Sequence, residues 1–149
     1  MSETAASSMP LGLLSKPLNG PPVRERYHDL TNLICLTSAP AISPKIRHAI
    51  RHIEKNYQQK LTLQHVGAAI DCHPSYLCKR FREELGSSFY QYVLRVRLKV
   101  AIRTLVHSDD PIKCVAHQAG FHSSEAFSKV FSRWIHCPPT VFRDLYRYG

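Results

Sequence analysis

The sequence has no apolar run that approaches the roughly 18 residues needed to cross a membrane as a helix. Its N-terminus lacks a charged segment followed by an apolar one, which is the pattern of a secretory signal peptide. Residues 45–149 contain no strand-like alternation of apolar and polar positions. These absences argue against a membrane protein and favour an all-α protein, which by default we expect in the cytoplasm.

Cysteine is present without a pattern that builds a site. The number of cysteines is odd, and no two of them have the CxxC spacing. This argues against a disulfide framework and against a structural zinc site, so we expect reduced thiols, no metal and no cofactor. The five are Cys35, Cys72, Cys78, Cys114 and Cys137.

Two groupings of histidine and cysteine have ordinary alternatives. His48 and His52 lie four residues apart on one predicted helix, a spacing that can bind metal. No third ligand is evident, so exposed helix histidines are the favoured interpretation. Cys72, His73 and Cys78 flank a predicted turn, where a redox sensor is the less favoured alternative to ordinary thiols.

Acidic residues are scarce relative to basic ones. The chain has 20 Lys and Arg residues against 11 Asp and Glu residues, a net charge of +9. Residues 1–44 are neutral overall, so the whole excess lies in residues 45–149. Such a charge favours nucleic acid or an anionic membrane surface as the partner, although charge alone fits a merely soluble basic protein equally well.

The N-terminal part of the chain differs in composition from the rest. Residues 1–22 are rich in Ser, Pro, Gly and Ala, which is typical of a poorly ordered tail. Residues 23–37 fit one short amphipathic helix with Leu30, Leu33 and Ile34 as its apolar stripe. We therefore assign residues 1–42 to a tail and linker, and residues 43–149 to the folded domain.

Helix start and stop signals become regular after residue 42. Good N-cap residues precede segments with apolar positions at helical spacing, and Gly86 is placed to end the third helix. About seven helices are predicted, in a first unit at 43–87, a linker helix at 88–106 and a second unit at 108–149. The linker helix has too many apolar positions for one stripe, so we expect each unit to pack against one half of it. The expected N-caps are Ser43, Thr62, Ser88, Asp110 and Ser123.

The two units repeat one arrangement of helix, turn and helix. After a one-residue insertion in the second turn, apolar positions match apolar positions and a lysine matches a lysine. We interpret this as an internal duplication of a helix-turn-helix. The aligned pairs are Val66 with Val115, Ile70 with Ala119, Asp71 with Gly120, Cys72 with Phe121, Leu77 with Phe127, Lys79 with Lys129 and Phe81 with Phe131.

These units together resemble the DNA-binding domain of the AraC-type transcription regulators. The similarity covers about residues 45–147, roughly two-thirds of the chain. Its most specific positions are Ala116, Gly120, Phe121, Ser123, Phe127, Lys129, Phe131, Pro139, Phe142 and Arg143. The linker helix also fits, through Phe89, Tyr92, Arg97, Leu98, Ala101 and Leu105, and the first unit through Leu63, Pro74 to Leu77, Phe81 and Gly86.

The chain departs from the family pattern at a few positions. Asp71 stands where the first turn usually has Gly, and Asp tolerates the left-handed conformation well enough for the turn to survive. His73 stands where an N-cap Ser is usual, so a weaker cap is expected there. The usual Gly before the Pro-Pro pair is replaced within residues 135–137. The large effector-binding domain that full-length members often carry is not in this sequence.

The resemblance implies a specific site. Each unit is expected to place its second helix in the major groove of duplex DNA. The linker helix, about 27 Å long at ~1.5 Å per residue, would hold the two roughly one DNA turn apart. The implied base-reading residues are Ser75, Cys78, Lys79, Ser124, Glu125, Ser128 and Lys129. The implied phosphate contacts are Arg80, Arg82, Lys99 and Arg103, with backbone amides at the helix N-termini near Thr62 and Asp110.

The chemistry of these residues predicts modest base selectivity. Lys79 and Lys129 can donate to guanine or to phosphate, whereas Glu125 would accept from a cytosine amino group unless it is simply a solvated residue. Arg, Asn and Gln are rare at these positions, so we expect a loose consensus with substantial shape readout. Residues 45–106 carry a net charge of +8 and residues 107–149 only +1. The first unit should therefore dominate nonspecific affinity.

The expected function is a bacterial, non-enzymatic transcription regulator that binds promoter DNA near the nucleoid as a monomer. Recruitment of RNA polymerase, as an activator, is implied by the resemblance alone. The alternative is a basic helical adaptor that docks on a protein through residues 23–37 without sequence-selective DNA binding. An enzyme with a Cys/His pair is disfavoured because nothing orients such a pair. Duplex RNA is disfavoured because it hides the groove that these helices need.

Overall fold

The computed structural model describes residues 42–148, so residues 1–41 of the tail expected at 1–42, and with them the helix expected at 23–37, lie outside the described residues. Residues 42–148 form seven α-helices and no strand, which confirms the all-α fold. The helices are α1 (Pro44–Asn56), α2 (Leu63–Ala69), α3 (Pro74–Leu85), α4 (Phe89–His107), α5 (Ile112–Gln118), α6 (Ser124–Ile135) and α7 (Pro139–Tyr148).

Four of the five expected N-caps are confirmed by their hydrogen bonds. The hydroxyls of Ser43, Thr62 and Ser123 accept from backbone amides in the first turns of α1, α2 and α6. Ser88 and Gln91 form a reciprocal capping box at the start of α4, with distances of 3.2 and 3.1 Å. Each cap satisfies amides that have no partner within the helix, and this fixes where each helix begins.

The fifth expectation, that Asp110 caps a helix beginning at Pro111, is wrong. Helix α5 begins at Ile112, and Pro111 occupies the N-cap position in an extended conformation without a side-chain cap. The Asp110 carboxylate instead accepts from Gln118 Nε2 at 3.2 Å, and its backbone amide donates to Ser108 Oγ at 3.3 Å. Because Pro111 has a ψ of 149° rather than a helical value, the helix begins one residue later than expected, and Asp110 lies one residue too early to cap it.

Two apolar cores lie side by side and share α4. Phe89, Tyr92 and Val93 from its first half pack with α1, α2 and α3. The second half contributes to the other core, with α5, α6 and α7, through the buried residues Leu98, Ala101, Ile102 and Leu105. This confirms that each unit packs against one half of the linker helix.

Left-handed residues close the turns and end α3 and α6. Asp71 has a φ of 55°, and Lys45 Nζ donates to its carbonyl at 2.8 Å, so the first turn survives as expected. Gly86 ends α3 with a φ of 68°, and His136 ends α6 with a φ of 64°. His73 caps α3 through its Nδ1, which accepts from the Ser75 amide at 3.2 Å.

Candidate nucleic-acid interface

Helices α3 and α6 present matching faces. Each has 12 residues, and residues fifty positions apart occupy equivalent places in the two helices. The inward faces carry Leu77, Phe81 and Leu85 in α3 and Phe127, Phe131 and Ile135 in α6, all buried. Residues 75, 79 and 82 of α3, and residues 125, 129 and 132 of α6, lie on the side opposite these positions, in the same register in both units.

The outward face of α3 carries the first predicted base-reading set. Ser75 and Lys79 are exposed, and Cys78 is partly buried. The Lys79 side chain is 74% exposed and lies 3.9 Å from Glu83, one turn further along the helix. Such an exposed pair holds the ammonium only weakly, so Lys79 is available to another anion.

The outward face of α6 carries the second set. Glu125 and Lys129 are exposed, while Ser124 and Ser128 are partly buried. Arg133 stands where α3 has Glu83, so the weak acidic neighbour of Lys79 has no counterpart beside Lys129. A groove of about 440 Å³ between α5 and the start of α6 is lined by Lys113, His117 and His122 among others, together with Ser124 and Glu125.

The predicted phosphate contacts differ in how they are held. Arg80 is engaged within its own unit, because its guanidinium pairs with Glu84 and lies 3.4 Å from Glu83 Oε2. The Glu84 side chain is only 7% exposed, and its Oε2 accepts from the backbone amide of Ser43 at 2.9 Å. Arg80 therefore helps to neutralise a carboxylate that ties α3 to the start of α1.

The remaining predicted phosphate contacts are spread over two helices and two helix starts. Arg82 and Arg103 are exposed, and Lys99 is partly buried. Thr62 lies at the N-cap of α2, where its hydroxyl accepts from the His65 amide at 3.1 Å. Asp110 lies two residues before the first residue of α5, Ile112, so a helix start lies near it although Asp110 does not cap that helix.

The domain family described as the helix-turn-helix domain matches residues 66–144, which is more than half of the chain. The chain belongs to the AraC-type transcription regulators. AraC-type regulators bind DNA through this domain and are not enzymes. The two outward helix faces are accordingly parts of a DNA-binding domain.

Known relatives and solved structures are similar to this AraC-type domain over about two-thirds of the chain. The lactose operon transcription activator of Staphylococcus xylosus is 28% identical over 102 residues, 68% of this chain and 37% of that protein. A transcriptional regulator from Chromobacterium violaceum, with an AraC-type DNA-binding domain, has a TM-score of 0.65 at 23% identity and covers 71% of this chain and 96% of that one.

The DNA-binding domain of AdpA, solved in complex with a target DNA, has a TM-score of 0.67 at 24% identity and covers 71% of this chain and 96% of that one. The chain spans 37% of the length of the Staphylococcus xylosus relative and 13% of the length of a similar regulator from Staphylococcus aureus.

One buried and one partly buried arginine of the linker helix were missed as structural elements of the AraC-type domain. Arg95 is 4% exposed, and its guanidinium lies 5.6 Å from the centre of the Trp134 ring on α6. Arg97 donates to backbone carbonyls of the segment after α1. Burial lowers the pKa of both guanidinium groups. The alternation of arginine with apolar residues over 94–98 was the available signal, since a basic residue beside two cores has to find acceptors.

Metal and membrane sites find no support in residues 42–148. No three His, Cys, Asp or Glu side chains come together there in a way that would hold a metal ion. None of the seven helices has both the length and the apolar character needed to cross a bilayer.

Burial raises the pKa of the Cys137 thiol, which makes this cysteine less reactive than an exposed one.

Proposed function

We propose that this AraC-type regulator reads two adjacent major-groove segments of one DNA duplex, with α3 in one and α6 in the other. The observation that carries the proposal is the equal register of the two outward faces on helices joined by α4. That helix has 19 residues and is therefore about 28 Å long at ~1.5 Å per residue. One turn of B-DNA is roughly 34 Å, a span that α4 and the widths of the flanking helices together match.

The base-reading roles follow from side-chain chemistry. Lys79 and Lys129 donate to guanine O6 and N7 or to a nearby phosphate, while Glu125 accepts from a cytosine amino group. The four other positions, Ser75, Cys78, Ser124 and Ser128, offer short side chains that tolerate several bases. Selectivity then rests in part on the deformability and groove width of the DNA.

The residues proposed to contact phosphate differ in how much each contributes to DNA affinity. Arg82, Lys99 and Arg103 supply positive charge, and the amides at the start of α2 near Thr62 add donors. Arg80 contributes less, because its guanidinium is already paired with Glu84 and Glu83. Since residues 45–106 carry most of the net charge, the first unit supplies most of the nonspecific affinity.

The regulatory output is proposed from the family and from one relative. The similar protein of Staphylococcus xylosus is named a transcription activator. We infer that this chain also activates, by binding a promoter asymmetrically as a monomer and contacting RNA polymerase in the bacterial cytoplasm. The asymmetry is supported by the unequal charge and unequal side chains of the two recognition helices.

The test is selection of binding sites from a random duplex library at near-physiological salt, with sequencing of the retained DNA. A bipartite motif with half-site centres about 10 base pairs apart is the expected result. Enrichment of one half-site only would contradict a base-reading role for the other recognition helix. No enrichment at all would contradict sequence-specific binding and favour the adaptor alternative.

A further inference from the structure

A hydrogen-bonded junction joins the two helix-turn-helix units beside α4. Arg97 projects from the middle of α4 and donates from Nε to the carbonyl of Tyr57, and from Nη2 to the carbonyl of Gln59, both at 2.9 Å. Tyr57 is the C-cap residue of α1, so both acceptors belong to the first unit. Carbonyls at a helix C-terminus carry partial negative charge, which a guanidinium complements.

The turn of the second unit sits against the same segment. Gln58 Nε2 donates to the carbonyl of Gln118, the last residue of α5, at 3.0 Å. A Cβ atom on Gly120 would lie 2.5 Å from the Tyr57 carbonyl oxygen and 3.1 Å from Arg97 Nε. No side chain fits there, and the φ of 92° at Gly120 is also one that other residues rarely adopt.

These contacts restrict the orientation of one helix-turn-helix unit relative to the other, which the two apolar cores constrain only through α4. The first core takes Val93 from α4 and the second takes Leu98, so Arg97 lies at the boundary between them. The paired hydrogen bonds from Arg97 to a neighbouring backbone oppose bending or rotation of α4 between the two cores. The fork of the guanidinium meets two carbonyls at once, which a lysine ammonium does not match geometrically.

We propose that Arg97, seated against Gly120, is a positioning residue that fixes the angle between α3 and α6 and thereby sets the half-site spacing that the regulator accepts. The proposal rests on the proposed two-helix reading of DNA. A change of one base pair in spacing rotates the second half-site by about 35° around the duplex. A rigid junction therefore lowers the affinity for DNA whose half-sites have the wrong spacing, whereas a loosened junction lowers it less.

The experiment measures binding to duplexes that carry both selected half-sites at centre-to-centre spacings from about 8 to 13 base pairs, together with duplexes that carry one half-site. Arg97→Lys keeps the charge and removes the fork. Arg51→Lys is the matched control, because Arg51 is exposed on α1 and has no assigned role in binding. Gln58→Ala is a second, milder variant that removes only the bond to Gln118.

We expect the wild type and Arg51→Lys to lose about ten-fold or more in affinity when the spacing is changed by two base pairs, because the second half-site is then no longer engaged. Arg97→Lys should keep its affinity for one half-site and its folded circular dichroism spectrum. Its affinity at the best spacing should fall, and the dependence on spacing should flatten to roughly three-fold. Gln58→Ala should flatten the dependence to a smaller extent.

Three results would overturn the proposal, and the last of them is distinguishable from the first two. If the wild type requires both half-sites but Arg97→Lys and Gln58→Ala retain its spacing profile, the junction does not set the spacing. The same holds if affinity falls equally at every spacing, as a merely structural role predicts. If the wild type binds one half-site as tightly as two at every spacing, the two-helix reading itself is wrong, and the spacing role fails with it.

Discussion

The left-handed ends of α3 and α6 allow one prediction to be worked through from geometry. Gly86 and His136 are equivalent C-caps with φ angles of 68° and 64°. The left-handed conformation costs a residue with a Cβ roughly 1–2 kcal/mol, and glycine pays a smaller penalty through the entropy of its unfolded state. We therefore expect His136→Gly to stabilise the protein by about 0.5–1 kcal/mol, and Gly86→Ala to destabilise it by about 1 kcal/mol.

The free space around the two positions isolates the backbone contribution. A Cβ atom on Gly86 would meet nothing within 4 Å, so the cost of Gly86→Ala is the conformational strain itself. His136 is exposed, so its removal costs little packing. For a domain of this size a change of 1 kcal/mol shifts Tm by roughly 4–8 °C, so His136→Gly should raise Tm by about 2–8 °C.

Thermal unfolding followed by circular dichroism is the assay. His136→Ala is the matched control, since it removes the imidazole but keeps a Cβ in the left-handed conformation, and its Tm should stay close to that of the wild type. An unchanged or lowered Tm for His136→Gly would refute the argument from backbone strain. A rise of equal size for His136→Ala would assign the effect to the imidazole instead.

Three further predictions concern charge, packing and thiol chemistry. Lys79→Ala should lower nonspecific DNA affinity and the slope of log K against log salt more than Lys129→Ala does. Each lost phosphate contact removes about 0.9 from that slope, or roughly 3.5-fold in affinity change between 50 and 200 mM salt. Phe127→Ala should cost about 3–5 kcal/mol in urea unfolding, because Phe127 is fully buried between Phe121 and Phe131. Cys137 should react with iodoacetamide more slowly than the exposed Cys114, since its raised pKa leaves less thiolate near pH 8.

Each of these has an outcome that contradicts it. Equal losses of affinity and of salt slope for the two lysine variants would contradict dominance of the first unit. A cost below about 1 kcal/mol for Phe127→Ala would mean that the second core repacks around the lost ring; Phe127→Leu, which removes less apolar volume, is the milder control. Labelling of Cys137 ahead of Cys114, resolved by peptide mass mapping of the folded protein, would contradict the effect of burial on its thiol.

Most of the fold was predictable because its determinants are local. A capping hydroxyl and its amide lie within three residues of each other, and helical periodicity marks the inward face, so Ser43, Thr62, Ser88 and Ser123 were assigned correctly. Asp110 failed for a reason that is also local. Pro111 is itself extended, with a ψ of 149°, so α5 begins one residue later, and the Asp110 carboxylate accepts from Gln118 at the far end of the helix.

The inter-unit contacts were not predictable because they involve the backbone. Arg97 binds the carbonyls of Tyr57 and Gln59, and every residue has a carbonyl, so no residue type in that segment marks the contact. The ion pairs of Arg80 with Glu83 and Glu84 could have been predicted, because these residues follow it three and four positions later on the same helix. The exposure of Ser75, Lys79, Glu125 and Lys129 agrees with the predicted outward faces, while their roles towards bases remain proposals.

The sharing of α4 between two cores has a consequence for folding. When either core opens, the half of α4 that it covers loses its packing, and an isolated helix of this length is only marginally stable in water. Loss of one unit therefore weakens the other through a common element. Amide protons in the middle of α4 should be among the slowest in the domain to exchange with solvent. The two repeats are then a single cooperative unit, and cutting the chain between them would not yield two independent halves.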